Sequence, residues 1–168
     1  MKKEITIEET LDWNAAWRII HDPAVEDRIL NDEWKATASD KFRNIVAGIV
    51  ENPNNYVLLV SRGDEAVGVA ICYHKGSGEF EIHTIFTPGL RGADAIHAGK
   101  LCTQHMLAKP EVERLVSMCP ENLPETYLFA RRVGWRFAGM SPEKWIKNGV
   151  AYAQKLVEAT KKDLILCH

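Results

Sequence analysis

Apolar residues recur at two different spacings in the first third of the chain, and each spacing predicts a different element. Ile5 and Ile7 alternate with polar neighbours at period two, which predicts a strand. The apolar residues that follow lie three or four positions apart, which predicts a helix: Trp13, Ala16, Trp17 and Ile20. A second helix with one apolar side is predicted from Ser39 or Asp40 to a point before Pro53.

The central part of the chain is typical of antiparallel strands. Two runs rich in β-formers, residues 56–60 and 66–73, flank a short polar turn and predict a hairpin. After a glycine-rich turn at residues 76–78, residues 79–87 alternate again between polar and apolar side chains. This run predicts a third strand, which ends at Pro88.

Two helices separated by one short strand are predicted next. The first follows the turn after Pro88 and ends at about Leu107. Residues 115–119 form a short apolar run that predicts a strand. The second helix runs from about Asn122 to Gly134, and Pro124 is acceptable in its first turn.

The Asn148-Gly149 dipeptide is a strong signal for a type I′ hairpin turn, because both residues tolerate the positive φ that this turn needs. Residues 135–139 and 144–146 predict one bent strand before the turn, and residues 150–160 predict the returning strand, so the hairpin is expected to complete the sheet. Residues 150–160 also fit a helical period, and that alternative stays open. The predicted order is β-α-α-β-β-β-α-β-α-β-β.

Composition and charge narrow the class of protein. A chain of 168 residues, 46% of them hydrophobic, is long enough for one complete core, so residues 1–168 are expected to form a single domain. Lys and Arg number 21 against 23 Asp and Glu, a formal charge of −2. This balance excludes the basic footprint of a nucleic-acid or anionic-membrane partner.

The location expected from the sequence is the cytoplasm. The longest apolar runs are far shorter than the roughly 20 residues that cross a bilayer, and the first residues lead directly into a strand pattern rather than a secretory leader. The cysteines form no C-x-x-C pair and are widely spaced, which favours a reducing compartment and no metal site: Cys72, Cys102, Cys119 and Cys167.

The element order and three local features resemble the GNAT acyltransferases, an acetyl-CoA-binding α/β family, and the GNAT-like proteins encoded by bacteriophages. The first feature is the strand of residues 79–87 followed by residues 88–96, where the family has its R/Q-x-x-G-x-G/A pyrophosphate loop. The second is the helix after Asn122 with its Gly134-Trp135 end, and the third is the hairpin at residues 147–163. The resemblance implies a twisted, mostly antiparallel mixed sheet of about seven strands with about four helices, splayed between the fourth and fifth strands.

The resemblance also implies where acetyl-CoA binds. Ile85, Phe86 and Thr87 would lie along the pantetheine arm, with Ile85 and Thr87 supplying backbone groups, and Asn122 would bond a pantetheine amide or simply cap its helix. The pyrophosphate would meet the helix start that follows the turn: Arg91, Gly92, Ala93, Asp94, Ala95 and Ile96.

Two of these loop residues depart from the family pattern. Asp94 stands where the pattern has Gly, and Ile96 stands where it has Gly or Ala. As an N-cap, Asp94 would accept the N–H groups that a pyrophosphate needs, so an ordinary capped helix without a phosphate ligand is the alternative.

Acetyl transfer to an amine needs a base, and in the resembling family that base often lies on the strand before the loop. Glu81 and His83 share one face of this strand and are the candidates; a solvated strand face is the alternative. The family's acid is a tyrosine at the position of Ala130, which cannot donate a proton. Tyr127, almost one turn earlier, is the substitute, or else a tyrosine at the core edge.

These observations predict an acyl-CoA-dependent N-acyltransferase that uses acetyl-CoA as substrate and acetylates an unidentified amine or protein. The competing hypothesis is a non-catalytic GNAT-like protein, of phage origin, that binds a protein partner. A homodimer is compatible with either hypothesis. A phage protein of this kind would work in the cytoplasm of the host.

Overall fold

The computed structural model describes residues 3–35, 37 and 39–164, so Cys167 lies outside the described residues. The described part contains nine strands and seven helices. In chain order they are β1 Ile5–Glu9, α1 Trp13–Ile20, α2 Pro23–Ile29, α3 Asp32–Lys35, α4 Ser39–Glu51, β2 Tyr56–Arg62, β3 Glu65–Gly76, β4 Glu79–Phe86, α5 Gly92–Leu107, β5 Arg114–Pro120, α6 Pro124–Val133, β6 Arg136–Met140, β7 Trp145–Lys147, β8 Val150–Tyr152, β9 Gln154–Thr160 and α7 Lys161–Leu164.

Seven strands form one mixed sheet in the order β1-β2-β3-β4-β5-β9-β6. The contact between β4 and β5 is parallel, and the other five contacts of this sheet are antiparallel. This arrangement confirms the predicted mixed and mostly antiparallel seven-stranded sheet.

Helices cover both faces of the sheet. On one face, α1, α2 and α4 pack against β2, β3 and β4, and the buried side chains there include Ile20, Val46 and Ile71. On the other face, α5 and α6 contribute Ala98, Met106 and Val133 to a second apolar cluster. The sheet is therefore the middle of three layers, because each face has an apolar set to bury.

The four main helices match the prediction, and three short helices were missed. Helix α2 begins after Asp22, whose side chain accepts the N–H of Ala24 at 2.8 Å, with Pro23 in the first turn. Asp followed by Pro is a recognisable helix start, so the sequence did carry this signal. None of the helices described in residues 3–35 and 39–164 is long and apolar enough to cross a bilayer.

The Asn148-Gly149 turn is a two-residue hairpin as predicted, with φ of 53° and 75° at the two residues. Its strands do not complete the sheet, however. Strands β7 and β8 form a separate two-stranded ribbon, and β9 pairs with β5 and β6 instead. The helical alternative for residues 150–160 is wrong, since β8 and β9 occupy most of that segment.

Contacts with the N-terminal helices hold this ribbon away from the main sheet. The carboxylate of Asp32 accepts the backbone N–H groups of Asn148 at 2.8 Å and Gly149 at 2.7 Å. The ammonium of Lys147 donates to the carbonyl of Leu30 at 2.7 Å and also to that of Asp27. The β7–β8 ribbon is thus fixed to the segment that joins α2 and α3.

Close packing of α5 against α6 gives a first testable prediction. A Cβ on Gly99 would lie 2.7 Å from both Phe129 Cζ and Val133 Cγ2, whereas a Cβ on Gly48 of α4 would meet nothing within 4 Å. Gly48→Ala should stabilise the protein by about 0.5–1 kcal/mol through helix propensity. Gly99→Ala should instead destabilise it by about 1–3 kcal/mol through overpacking. Urea unfolding of both variants measures the difference, and equal stabilisation would contradict the described α5–α6 contact.

Candidate active site

The sheet opens between β4 and β5, as predicted. Their parallel pairing covers three residue pairs and its last pair is Glu81 with Val116. Beyond that point β4 continues to Phe86 beside β3, and β5 continues to Pro120 beside β9. Because each strand keeps its outer neighbour while the two separate, a gap forms within the sheet.

A cavity of about 1040 Å³ fills this gap and reaches both faces of the sheet. On the α1, α2 and α4 face it is lined by residues that include Phe42, Glu81 and His83. On the α5 and α6 face its lining includes Ala95 and Phe129. Two molecules that approach from opposite faces can therefore meet inside the opening.

Glu81 and His83 form a hydrogen-bonded pair on the wall of this cavity. His83 Nε2 lies 2.7 Å from Glu81 Oε1, and the ammonium of Lys75 lies 3.2 Å from Glu81 Oε2. The Glu81 side chain is 12% exposed, whereas that of His83 is 42% exposed. The hydrogen bond from His83, opposed by burial and supported by Lys75, lowers the pKa of Glu81 to about 2.

This geometry distinguishes the two candidate bases. With a pKa of about 2 and two donors on its oxygens, Glu81 is a weak proton acceptor at neutral pH. A His83 imidazole that donates from Nε2 to Glu81 keeps the lone pair on Nδ1. The arrangement therefore suits His83 as the group that accepts a proton and Glu81 as the group that orients it.

Tyr73 on β3 packs against this pair. Its ring meets that of His83 edge to face, with centroids 5.4 Å apart. Burial and the charge of Glu81 raise the pKa of Tyr73 to about 12, so its hydroxyl stays protonated. Tyr73 thus restricts the His83 ring from the side of β3.

The backbone groups that face the opening are not those predicted. The N–H of Thr87 donates to the carbonyl of Val67 at 2.9 Å, its hydroxyl donates to the same oxygen, and its carbonyl accepts from Leu90. Because backbone groups alternate along a strand, those of Ile85 also point toward β3, while those of Thr84 and Phe86 point toward β5. Ile85 and Thr87 therefore do not present free backbone groups to the opening, whereas Phe86 does.

The Phe86 ring occupies a tightly confined position in the cavity wall. It contacts Phe129 of α6 edge to face at a centroid distance of 5.8 Å. A Cβ on Gly68 of β3 would lie only 2.4 Å from the Phe86 ring. These contacts connect β4 to the helix on its open side.

The start of α5 differs from the prediction in its capping. Arg91 occupies the N-cap position without a side-chain cap, and its Nε donates to the carbonyl of Pro88 at 2.9 Å. Asp94 lies within the first turn and is not the N-cap, because the left-handed Gly92, with φ of 61°, lets the helix begin earlier. The N-cap of α5 is therefore Arg91 and not the Asp94 that the sequence predicted.

Only part of the predicted pyrophosphate loop borders the cavity. Arg91, Gly92 and Ala95 line it. Ala93 is exposed, and neither it nor Asp94 and Ile96 belongs to the lining.

Tyr127 does not line the cavity that holds the Glu81–His83 pair. It borders a separate pocket of about 230 Å³, where the ammonium of Lys155 sits 4.7 Å from its ring centroid. Ala130, one turn later on α6, lines the large cavity and carries no proton to donate. The replacement of the family's acid by Tyr127 stays a prediction, and the position of Tyr127 in this second pocket does not favour it.

Asn122 neither caps α6 nor has a partner for its carbonyl oxygen. The N-cap of α6 is Leu123, and Asn122 Oδ1 is buried without a hydrogen bond. The adjacent Leu123 lines the cavity, whereas Asn122 is not among the lining residues. Within the part of the chain that the structure describes, no three His, Cys, Asp or Glu side chains are grouped to hold a metal ion.

Lys75 and Trp145 are among the cavity residues that were missed from the sequence. The predicted strand ended at Tyr73, whereas β3 continues to Gly76 and carries Lys75 to Glu81. Tyr73 lies opposite Glu81 because the register shifts by one residue between His74 and Gly76, and the turn at residues 76–78 does not by itself predict that bulge. Trp145 also lines the cavity, but only because the ribbon folds onto α2 and α3, which no local pattern indicates.

Comparison with solved structures identifies the fold as that of the GNAT acetyltransferases. A spermidine N-acetyltransferase from Vibrio cholerae, solved with CoA and spermine, has a TM-score of 0.72 at 10% identity over 96% of this chain and 98% of its own. A GNAT-family acetyltransferase from Bacillus anthracis gives 0.70 at 16% identity over 96% and 98%. The microcin C7 self-immunity acetyltransferase, solved with acetyl-CoA and AMP, gives 0.66 at 18% identity over 94% and 92%.

The sequence also places the chain in a family. Residues 42–167 match DUF2824, described as a protein of unknown function, and the chain belongs to this family. No curated protein matches the sequence.

The Glu81–His83–Lys75 cluster gives a second testable prediction. The pKa of Glu81 is about 2 in the folded protein and has an ordinary value of 4.5, so its ionisation stabilises the fold fully above pH 4.5. That stabilisation is lost as the pH falls through about 2. Glu81→Gln should therefore lower the free energy of unfolding at pH 7, on the order of 2 kcal/mol, and flatten its fall below pH 4.5.

Urea unfolding from pH 7 to pH 2 provides the measurement, with Glu143→Gln as the control because Glu143 is an exposed carboxylate of the same cavity. An unchanged pH dependence in Glu81→Gln would contradict an ionised Glu81 carboxylate held by His83 and Lys75.

Proposed function

We propose that the protein is an acyl-CoA-dependent N-acyltransferase that moves an acetyl group from acetyl-CoA to an amine, with His83 as the base. The observation that supports this most is the cavity through the β4–β5 gap, whose wall carries the Glu81–His83 pair. A thioester that enters from the α5 and α6 face and an amine that enters from the opposite face would meet beside His83. The similar structures were solved with CoA and spermine and with acetyl-CoA and AMP, which agrees with such an opening.

The residues present fit the pantetheine arm. The backbone groups of Thr84 and Phe86 face the gap, where a pantetheine amide can pair with them as an added strand would. These groups bind and orient the thioester, which supplies the acetyl group.

The start of α5 would hold the pyrophosphate. The side chain of the N-cap residue Arg91 does not cap the first N–H groups of this helix, and the positive end of the helix dipole favours phosphate there. Arg91 adds a cation at the rim of the cavity. Asp94 and Ile96 lie beside this site in the first turn, and the carboxylate of Asp94 weakens it by repulsion.

The chemistry needs few groups from the protein. His83 removes one proton from the ammonium of the acceptor, directly or through a water. The neutral nitrogen then attacks the thioester carbonyl, the C–N bond forms and the C–S bond breaks. The second amine proton passes to the departing sulfur through cleft water, so neither Ala130 nor Tyr127 is needed as an acid.

Direct transfer fits better than a covalent acyl-enzyme. Among the described residues, Cys119 is the cysteine that lines the cavity, and burial raises the pKa of its thiol, which leaves little thiolate to attack a thioester. Cys72 and Cys102 are also free and buried. Three free thiols suit the reducing cytoplasm, where we place the protein.

A third testable prediction concerns His83. His83→Gln should reduce acetyl transfer by about 10²–10⁴-fold while leaving acetyl-CoA binding intact, since the residue acts on the amine and not on the cofactor. Binding is measured by thermal shift, because a ligand at about 100 times its Kd stabilises the fold by about 2.7 kcal/mol. His97→Gln, an exposed change on α5, is the matched control. Full turnover in His83→Gln would refute the role of His83.

A fourth prediction concerns the charge at the start of α5. Asp94→Asn removes one negative charge near the proposed pyrophosphate and keeps the side-chain shape, so CoA should bind about two- to fivefold more tightly. Calorimetric titration at low and high salt measures this gain, which should shrink as salt screens the charge. A Kd that does not change at low salt would mean that the pyrophosphate binds elsewhere.

A second candidate function is supported by an exposed apolar surface. Phe137 and Met140 of edge strand β6, with Ile146 and Val150 of the ribbon, are each about half exposed. A non-catalytic GNAT-like protein, of phage origin, would use this surface to bind a protein partner or a second copy of itself. Absence of any stabilisation by millimolar acetyl-CoA would favour this function over acyl transfer.

A further inference from the structure

The half of the cavity that faces α1, α2 and α4 is where the proposed function places the acceptor, and its walls are mostly apolar. They are built by Ile20, Val25, Ile29, Phe42, Ile45 and Ile49. Trp34 extends this wall and its ring lies 5.7 Å from that of Phe42, centroid to centroid. Such a surface favours an apolar and flat group over a flexible polar chain.

The carboxylates of the cavity do not form a site for a polycation. Glu81 is paired with His83 and Lys75, and Glu125 is paired with Arg28 at 2.6 Å. Among the described lining residues the remaining carboxylate is Glu143, which is exposed to solvent. A polyamine carries several positive charges, and each needs an anionic partner when it is buried. This wall provides at most one carboxylate that is not already paired with a cationic side chain.

Trp145 adds a specific polar requirement. Trp145 lines the cavity, and its indole Nε1 is buried and has no hydrogen-bond acceptor in the described structure. A buried donor without a partner is costly unless a ligand or water supplies an oxygen. The position therefore calls for an acceptor atom on the bound molecule.

Two sets of contacts join elements across this half of the cavity. The Arg28–Glu125 pair connects α2 to α6, and Asp32 holds the turn of the β7–β8 ribbon at Asn148 and Gly149. Trp34 and Trp145 belong to the two elements, α3 and β7, that this second contact brings together. A concave, largely apolar space of this kind suits a free small molecule better than the surface of a folded protein.

We infer that the acceptor is a small primary amine on an apolar, aromatic-sized body that carries a hydrogen-bond acceptor, bound against Trp34 with its oxygen at Trp145 Nε1. This inference rests on the proposed function and narrows it to one substrate class. The apolar wall selects the ring, the indole N–H selects the oxygen, and His83 receives the ammonium proton.

Three amines test the inference with acetyl-CoA as donor. Tyramine has a ring and a hydroxyl, phenethylamine has the ring alone, and spermidine is a polyamine without a ring. We expect kcat/KM to be at least tenfold higher for tyramine than for spermidine, with phenethylamine between them. Tyramine alone should also raise the melting temperature, a readout that needs no turnover.

Two variants distinguish the effect of the Trp145 indole N–H on substrate preference from the effect of aromatic packing. Trp145→Phe keeps a ring and loses the donor, so it should reduce the preference for tyramine over phenethylamine to near one. Trp13→Phe, on α1 and outside the cavity lining, should leave that preference unchanged.

The outcomes distinguish this inference from the function on which it rests. Preferred turnover of spermidine or of a lysine-bearing peptide would overturn the acceptor class and leave acyl transfer standing. The inference would also be overturned if the protein bound acetyl-CoA but neither acetylated tyramine or phenethylamine nor was stabilised by them. Absence of acetyl-CoA binding would instead remove the proposed function itself.

Discussion

Three residue pairs hold β4 against β5, and the position where this ladder ends determines where the cavity lies. Arg114 strengthens the paired end, since its guanidinium contacts Glu79 of β4 and Glu158 of β9, each at 2.6 Å. Past Glu81 and Val116 the two strands follow different neighbours, β3 on one side and β9 on the other. Both strands keep one complete ladder, so the gap leaves only one edge of each strand without partners.

The same separation explains why the polar pair lies where it does. Glu81 is the last residue of β4 with a partner on β5, and His83 is the next residue on the same face. Glu81 is therefore held by the sheet and by Lys75, while His83 projects into the opening with more of its side chain exposed. A fixed carboxylate beside a more accessible imidazole is an arrangement suited to proton transfer.

Much of the fold was predictable because its signals are local. Period-two alternation located β4 and placed Glu81 with His83 on one face, and Asn148-Gly149 identified the hairpin. The rest depends on contacts distant in sequence. The ribbon leaves the main sheet because Asp32, more than 100 residues away, binds its turn, and Lys75 reaches Glu81 only through the register of β3 and β4.

The errors at the site have the same origin. Tyr127 had suitable chemistry, but the rotation of α6 turns it to another pocket and presents Ala130 to the cavity. Asp94 had the residue type of a cap, yet the left-handed Gly92 starts α5 before it. The sequence also did not show which residues of β4 present backbone groups to the gap. The hydrogen bond from Thr87 to Val67 turns the groups of Ile85 and Thr87 toward β3, so those of Thr84 and Phe86 face the gap.

The central claim is that the β4–β5 gap binds acetyl-CoA beside His83. Mapping of backbone amide chemical shifts during titration with acetyl-CoA tests it most directly, because the method reports where the ligand lies as well as whether it binds. The account predicts the largest shifts at Thr84 and Phe86 of β4, at residues 117–119 of β5 and at Gly92 to Ala95 of α5. Shifts confined to β6 and the β7–β8 ribbon, or no shifts at millimolar ligand, would contradict it.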